Sequence, residues 1–188
     1  MEVGTIPNHF YSDETGKPFT NCVMCEIDLY ANKIPYAIEK AMKRMDDGRV
    51  VTLFEMAICM NCGQQMHERL STHSKQVMED YFMKIELPQK RMKSAQNEEW
   101  KSTWDSQCLV SGKPIQQFSE FNLMGNFIGG NVIKKLPPMS ISAEVLETIQ
   151  DKLSPESKEE LDDFRNTYLG PSDPQLKALL SETQLIFI

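Results

Sequence analysis

The alternation of apolar and polar residues predicts a strand followed by helices in the first half of the chain. Residues 50–58, VVTLFEMAI, are rich in β-forming residues and follow the turn sequence DDGR at 46–49, so they predict a strand. From Cys62 onward, apolar residues recur at helical spacing: Met66, Leu70, Val77, Met78, Tyr81, Phe82 and Ile85. Ser71 or Thr72 can cap a second helix, and Pro88 is predicted to end it.

Residues 34–45, IPYAIEKAMKRM, fit two different patterns. A helical stripe would contain Ile34, Ile38, Ala41, Met42 and Met45. A strand would place Tyr36, Ile38 and Met42 on one face. The sequence therefore leaves helix and strand open for this segment.

The second half predicts a β segment followed by helices. Residues 116–130, QQFSEFNLMGNFIGG, indicate β structure interrupted by glycines. Ser142 can cap a helix over 143–153, and Ser154-Pro155-Glu156 is a typical start for the next one. That helix would bury Leu161, Phe164, Tyr168 and Leu169 and would stop at Gly170-Pro171. A last short helix is predicted after Asp173-Pro174, with Leu176, Leu179 and Leu180 on its apolar side.

These elements predict an α+β fold in three parts. Residues 1–88 would form a first module, and residues 108–188 would form a β segment with a mainly helical remainder. Residues 89–107 are polar, with Trp100 and Trp104 as the only large anchors, and are predicted to be a partly helical connector.

Composition and charge narrow the functional classes. Hydrophobic residues make up 40% of the 188 positions and no apolar run approaches the length of a membrane span, so no membrane association is expected. The first 16 residues lack a basic and apolar leader, which favours a cytoplasmic location. The net charge is −7, of which −6 falls on residues 139–188, so nucleic acid is an unfavourable partner.

The most specific motif is a double C-x-x-C pattern. Cys22 and Cys25 form the first pair, and Cys59 and Cys62 form the second. Two intervening residues let a turn present both thiolates to one metal ion, and two such turns complete the four ligands that Zn²⁺ prefers. In a reducing compartment, paired cysteines are more often metal ligands than disulfides. The pattern therefore predicts one structural Zn²⁺ ion bound by these four cysteines.

The order of elements around the two pairs resembles the treble-clef zinc fingers over about residues 19–86. In that superfamily a ligand-bearing turn precedes a β-hairpin, and a helix carries the last two ligands. The resemblance implies that residues 34–45 form the first hairpin strand. It is one of arrangement and identifies no particular family.

Two alternatives use the same cysteines. Thiol–disulfide chemistry is one, because Cys59 lies near a predicted helix start, where the helix dipole favours a thiolate. An iron–sulfur cluster is the other. One active pair would suffice for redox chemistry, and no βαβ pattern precedes Cys59, so a structural zinc site is the preferred interpretation.

The fifth cysteine, Cys108, belongs to a sequence that resembles one near the N-terminus. CLVSGKPI at 108–115 and SDETGKPF at 12–19 share Gly-Lys-Pro followed by an apolar residue. A zinc-binding turn commonly continues with glycine and lysine after its second cysteine. We therefore interpret both stretches as turns of one shape in which serine or threonine replaces most ligands, with Cys108 outside the zinc site.

The sequence shows no Ser-His-Asp, H-E-x-x-H or phosphate-loop pattern. We therefore expect a zinc-binding protein without catalytic activity that contacts a protein partner. Nucleic-acid binding by a zinc finger and thiol redox sensing are the alternative functions. The sequence does not specify the partner or the oligomeric state.

Overall fold

The centre of the fold is an antiparallel sheet. The computed structural model describes residues 6–31, 33–98 and 100–169. Strands β1 (Pro35–Arg44) and β2 (Val50–Cys59) form a hairpin whose register pairs Tyr36 with Cys59, and a bulge interrupts the register between Ala41 and Met42. Residues 35–44 are therefore a strand, which resolves the ambiguity that their sequence leaves open.

The same sheet continues into the second half of the chain. Strand β3 (Glu120–Ile128) pairs with β1 along its whole length. The short strands β4 (Asn131–Val132) and β5 (Met139–Ser142) both pair with β3. Strands from both sides of the predicted connector thus share one sheet. The boundaries proposed for separate units, 1–88, 89–107 and 108–188, stay a prediction.

Six α-helices surround the sheet within the described residues: α1 (Met60–Arg69), α2 (Thr72–Lys84), α3 (Leu87–Asn97), α4 (Trp100–Thr103), α5 (Ala143–Gln150) and α6 (Pro155–Tyr168). Two short 3-10 helices span Asn8–Phe10 and Ile115–Gln117. The predicted mixture of antiparallel strands and helices, an α+β fold, is confirmed.

Most predicted helix boundaries hold, with one correction. Ser71 and Ser154 accept hydrogen bonds from backbone N–H groups in the first turns of α2 and α6, as N-caps do. Pro88 does not end the preceding helix. It lies in the first turn of α3, where its missing N–H costs no hydrogen bond. The predicted stop at Gly170-Pro171 and the last helix lie outside the described residues.

The hydrophobic residues form two clusters. One packs the N-terminal turns against the sheet around Phe10, Tyr36 and Phe127. The other packs α5 and α6 against the sheet through residues such as Leu146 and Leu161. Within the described part of the chain, no helix is both long and apolar enough to cross a membrane.

Two adjacent residues of β1 bury charged groups on opposite faces of the sheet. Lys40 is 2% exposed, and its Nζ contacts Asp13 Oδ1 at 2.7 Å and Glu55 Oε2 at 3.0 Å. Glu39 is 6% exposed and accepts a hydrogen bond from Asn122 Nδ2 at 2.6 Å. Successive strand residues point to opposite faces, so each layer beside the sheet contains one of these groups.

Candidate metal centre

The first cysteine pair lies in a tight turn ahead of the sheet. The N–H of Cys22 donates to the carbonyl of Ile27 at 3.1 Å, and the N–H of Glu26 donates to the carbonyl of Cys22 at 2.9 Å. Glu26 occupies the left-handed region with φ of 58°. This left-handed residue reverses the chain directly after Cys25, which brings the side chains of Cys22 and Cys25 to one side of the turn.

The second pair lies where β2 passes into α1. Cys59 is the last residue of β2 and the N-cap of α1, and its Sγ accepts from the N–H of Cys62 at 3.4 Å. A serine or aspartate oxygen commonly has this capping role. The strand-to-helix junction therefore fixes the positions of Cys59 and Cys62 relative to one another.

Backbone hydrogen bonds attach the turn to the strand. The N–H of Val23 donates to the carbonyl of Ala57 at 2.8 Å, and the N–H of Cys59 donates to Sγ of Cys22 at 3.4 Å. The two pairs are 37 residues apart when counted from Cys22 to Cys59. Main-chain contacts bring them together, which requires no contact between the sulfur atoms.

The four Sγ atoms form one compact group, all within 4.8 Å of one another. Sγ of Cys25 and Sγ of Cys59 are 3.9 Å apart, close to the ~3.8 Å edge of a tetrahedron with Zn–S bonds of about 2.3 Å. All four are free thiols, so no disulfide competes for them. Cys25 is exposed and the other three are buried. The four cysteines are positioned to bind one metal ion.

The electrostatics of the group favour a cation. Burial raises the pKa of the Cys22 thiol, but the N–H groups of Cys59, Cys25 and Met24 outweigh that effect and lower its pKa to about 7. Burial raises the pKa values of Cys59 and Cys62, and a thiolate at Cys22 raises them further by repulsion. Four adjacent thiols cannot all ionise alone, so a bound cation would supply the compensating charge.

The turn that holds Cys22 and Cys25 occurs three times in the structure. In the turns at 12–17 and 108–113, the first residue also donates to the carbonyl of the sixth, at 2.9 Å in both. The fifth residues, Gly16 and Gly112, donate back to the first at 2.8 Å and have φ of 65° and 69°. The predicted similarity between the two Gly-Lys-Pro stretches is therefore confirmed in their backbone hydrogen bonds.

Cys108 lies outside the metal centre, as predicted. Its side chain is fully buried, and its Sγ donates to Oγ of Ser142 at 3.8 Å. Burial raises the pKa of this thiol, but hydrogen bonds from Ser111, Ser142 and Val110 outweigh burial and lower it. The sequence did not indicate Ser142 as its neighbour, because only the pairing of β5 with β3 brings that residue near.

Comparison of the chain with protein-family models, curated proteins and solved structures finds no match.

Proposed function

We propose that this protein binds one structural Zn²⁺ ion through Cys22, Cys25, Cys59 and Cys62 and acts without catalysis by binding another protein. The observation that carries the metal proposal is the single cluster of four Sγ atoms. Four protein ligands leave no open coordination position for water or substrate, which is the arrangement of structural zinc sites.

The local architecture supports a treble-clef type of zinc site. A ligand-bearing turn precedes the β1–β2 hairpin, and α1 begins at the second ligand pair. The N–H groups of Cys59 and Cys62 already donate to sulfur atoms, and such donors offset the net charge of −2 on a four-thiolate zinc site. An Fe–S cluster and a redox disulfide remain competitors for the same cysteines.

Metal analysis combined with thiol counting tests the metal proposal. We expect one zinc ion per chain and no iron, with four thiols that react slowly until a chelator is added. Cys108 is buried and should also react slowly, so a C108S variant simplifies the count. Protein that contains no zinc, or whose melting temperature is unchanged by a chelator, would contradict the proposal. A reversible disulfide between the pairs would support the redox alternative.

The proposed protein-binding surface is a groove between α1 and α3. Two adjoining cavities of about 580 and 450 Å³ share Arg91 and Leu136 in their walls. Exposed apolar side chains, Met60 and Met92, line them together with Leu136. Isolated exposed apolar residues are common, but three around one concave surface are typical of a binding site.

The charge of this groove indicates the kind of partner. Arg91, Lys134 and Lys135 line it, although the whole chain carries a net charge of −7. A partner segment with apolar side chains and acidic groups complements both properties. The proposal therefore commits to an acidic, amphipathic protein segment.

Peptide display against the purified protein tests this surface. We expect selected peptides to combine acidic and apolar residues and to lose affinity at least tenfold for the K134E/K135E variant. The K17E/K113E variant carries the same charge change in two exposed turns and should bind normally. Equal affinity for both variants would contradict the proposal. Retention of oligonucleotides at low salt by the wild type, lost in K134E/K135E, would support nucleic-acid binding instead.

A further inference from the structure

The two hairpins of the sheet have the same register relative to their helices. Tyr36 pairs with Cys59 at the end of the first hairpin, and Phe121 pairs with Ser142 at the end of the second. The next three pairs correspond in the same way: Ala37–Ile58 with Asn122–Ile141, Ile38–Ala57 with Leu123–Ser140, and Glu39–Met56 with Met124–Met139. A shift of 85 residues therefore relates β1 to β3, and a shift of 83 relates β2 to β5.

The contact between β1 and β3 fits a two-fold relation between the hairpins. A shift of 85 residues makes Met124 the equivalent of Glu39, and these two residues lie directly opposite one another in the antiparallel β1–β3 pairing. Only a two-fold axis through a residue pair places equivalent residues opposite each other. The strand order β2-β1-β3, with β5 on the far side of β3, follows the same symmetry.

The turns ahead of the hairpins dock in the same way. The turn at 22–27 and the turn at 108–113 share the hydrogen bonds described above. Val23 donates to the carbonyl of Ala57 at 2.8 Å, and its equivalent Leu109 donates to the carbonyl of Ser140 at 2.9 Å. Ala57 and Ser140 are themselves equivalent, so each turn contacts the same position of its own hairpin.

The helix starts correspond as well. Cys59 caps α1 with φ of −67° and ψ of 151°, and Ser142 caps α5 with φ of −67° and ψ of 147°. The equivalent of Cys62, three residues into α1, is Val145 in α5. Along the four equivalent positions of each copy, the order of exposure is the same: buried, exposed, buried, buried.

The environment of Cys108 repeats that of Cys22. The N–H groups that donate to the sulfur of Cys22 belong to Cys59, Cys25 and Met24. Those that donate to the sulfur of Cys108 belong to the equivalent residues, as follows: Ser142, Ser111 and Val110. Cys108 therefore lies in the surroundings of a metal-bound cysteine without the other three thiols.

We propose that residues 107–150 are a second copy of the module formed by residues 21–69, and that its metal position folds without a metal ion. The equivalent ligand positions hold Cys108, Ser111, Ser142 and Val145. A hydrogen bond from the Cys108 thiol to the Ser142 hydroxyl and the burial of Val145 in the apolar cluster around α5 occupy the place of metal bonds. Metal dependence is thereby confined to the first copy.

Restoring the missing thiols tests this proposal. We expect the S111C/S142C/V145C variant to bind one metal ion more than the parent chain. With Co²⁺, its thiolate-to-metal charge-transfer absorption should approximately double. The control V110C/S140C/E144C adds three cysteines near the same place at non-equivalent positions and should bind no additional ion. The readout is the increment over the parent chain, so it does not depend on whether the first site binds metal.

A second variant keeps the test decisive if the triple variant does not fold. S111C/S142C makes two nearly isosteric substitutions and leaves Val145 in the core. It should bind one additional thiophilic Cd²⁺ ion through Cys108 and the two new thiols. A folded triple variant without an additional ion, or a folded S111C/S142C variant that binds no more Cd²⁺ than the parent, would overturn the proposal.

Discussion

The backbone N–H of Cys59 donates a hydrogen bond to Sγ of Cys22, across 37 residues of sequence. The same N–H belongs to the last residue of β2, so the sheet determines where this donor points. A thiolate at Cys22 is stabilised by this donor before any metal binds. Folding of the hairpin and assembly of the metal site therefore depend on one another.

We expect Cys25→Ser to abolish stoichiometric zinc binding and to lower the free energy of unfolding by about 3 kcal/mol or more. Cys25 is exposed, so the substitution removes a ligand without leaving a cavity. Metal content and denaturant unfolding of the same preparation measure both effects.

Cys108→Ser is the matched control for that experiment. It removes a buried thiol from a turn of the same shape outside the metal centre. Zinc content should stay at the wild-type level, and stability should fall by only about 1–2 kcal/mol from altered packing and hydrogen bonding. Loss of zinc in C108S, or retention of zinc in C25S, would exclude the proposed ligand set.

Glu26→Gly should stabilise the protein by about 0.5–1 kcal/mol, because Glu26 has a left-handed backbone that costs any residue with a Cβ about that much or more. The equivalent positions of the other two turns are glycine, Gly16 and Gly112. Gly112→Ala should accordingly destabilise by a similar amount. Thermal melts of the zinc-loaded proteins compare the two variants, and effects of the same sign would refute the explanation.

The sequence was sufficient to predict the metal cluster but not the whole sheet. The C-x-x-C spacing is local, and one turn of fixed shape brings each pair together. Residues 34–45 have apolar side chains at both helical and strand spacing, and pairing with β2 and β3 decides for a strand. Such pairing involves residues about 85 positions away, which no local periodicity encodes.

The duplication was visible in sequence only at its most constrained point. Gly-Lys-Pro recurs because a left-handed residue is needed to close each turn, and glycine meets that need most easily. The helix-start ligands have changed to Ser142 and Val145, so the cysteine pattern of the first copy has no counterpart in sequence there. The hydrogen-bond register preserves the relation that the side chains have lost.

Lys40→Met should cost about 2–3 kcal/mol of stability, because it leaves two carboxylates beside a buried site without their cation. Lys40 is 2% exposed, and its partners Asp13 and Glu55 also interact with one another through the N–H of Asp13. Lys43→Met, on the same strand, removes the half-buried contact with Glu120 and should cost about 1 kcal/mol or less. Urea unfolding of both variants distinguishes these magnitudes, and a smaller cost for Lys40 would show that its burial is already uncompensated.

The carboxyl of Glu39 should make stability fall as the pH rises from about 4.3 to 8. Burial raises its pKa in the folded protein to about 8, while the hydrogen bond from Asn122 only partly opposes that shift. In the unfolded chain a glutamate ionises near pH 4.3. Between these values the folded state binds the additional proton, so raising the pH favours unfolding.

We therefore expect Glu39→Gln to be more stable than the wild type at pH 7, by on the order of 2 kcal/mol, with the advantage vanishing near pH 4. Glutamine keeps an oxygen that can accept from Asn122 and cannot ionise. The contribution of the cysteine cluster to the pH profile cancels in this comparison, because both proteins contain it. Glu147→Gln, an exposed substitution on α5, should leave the profile unchanged. Parallel curves of unfolding free energy for wild type and E39Q between pH 4 and 8 would show that Glu39 is solvated or paired in solution.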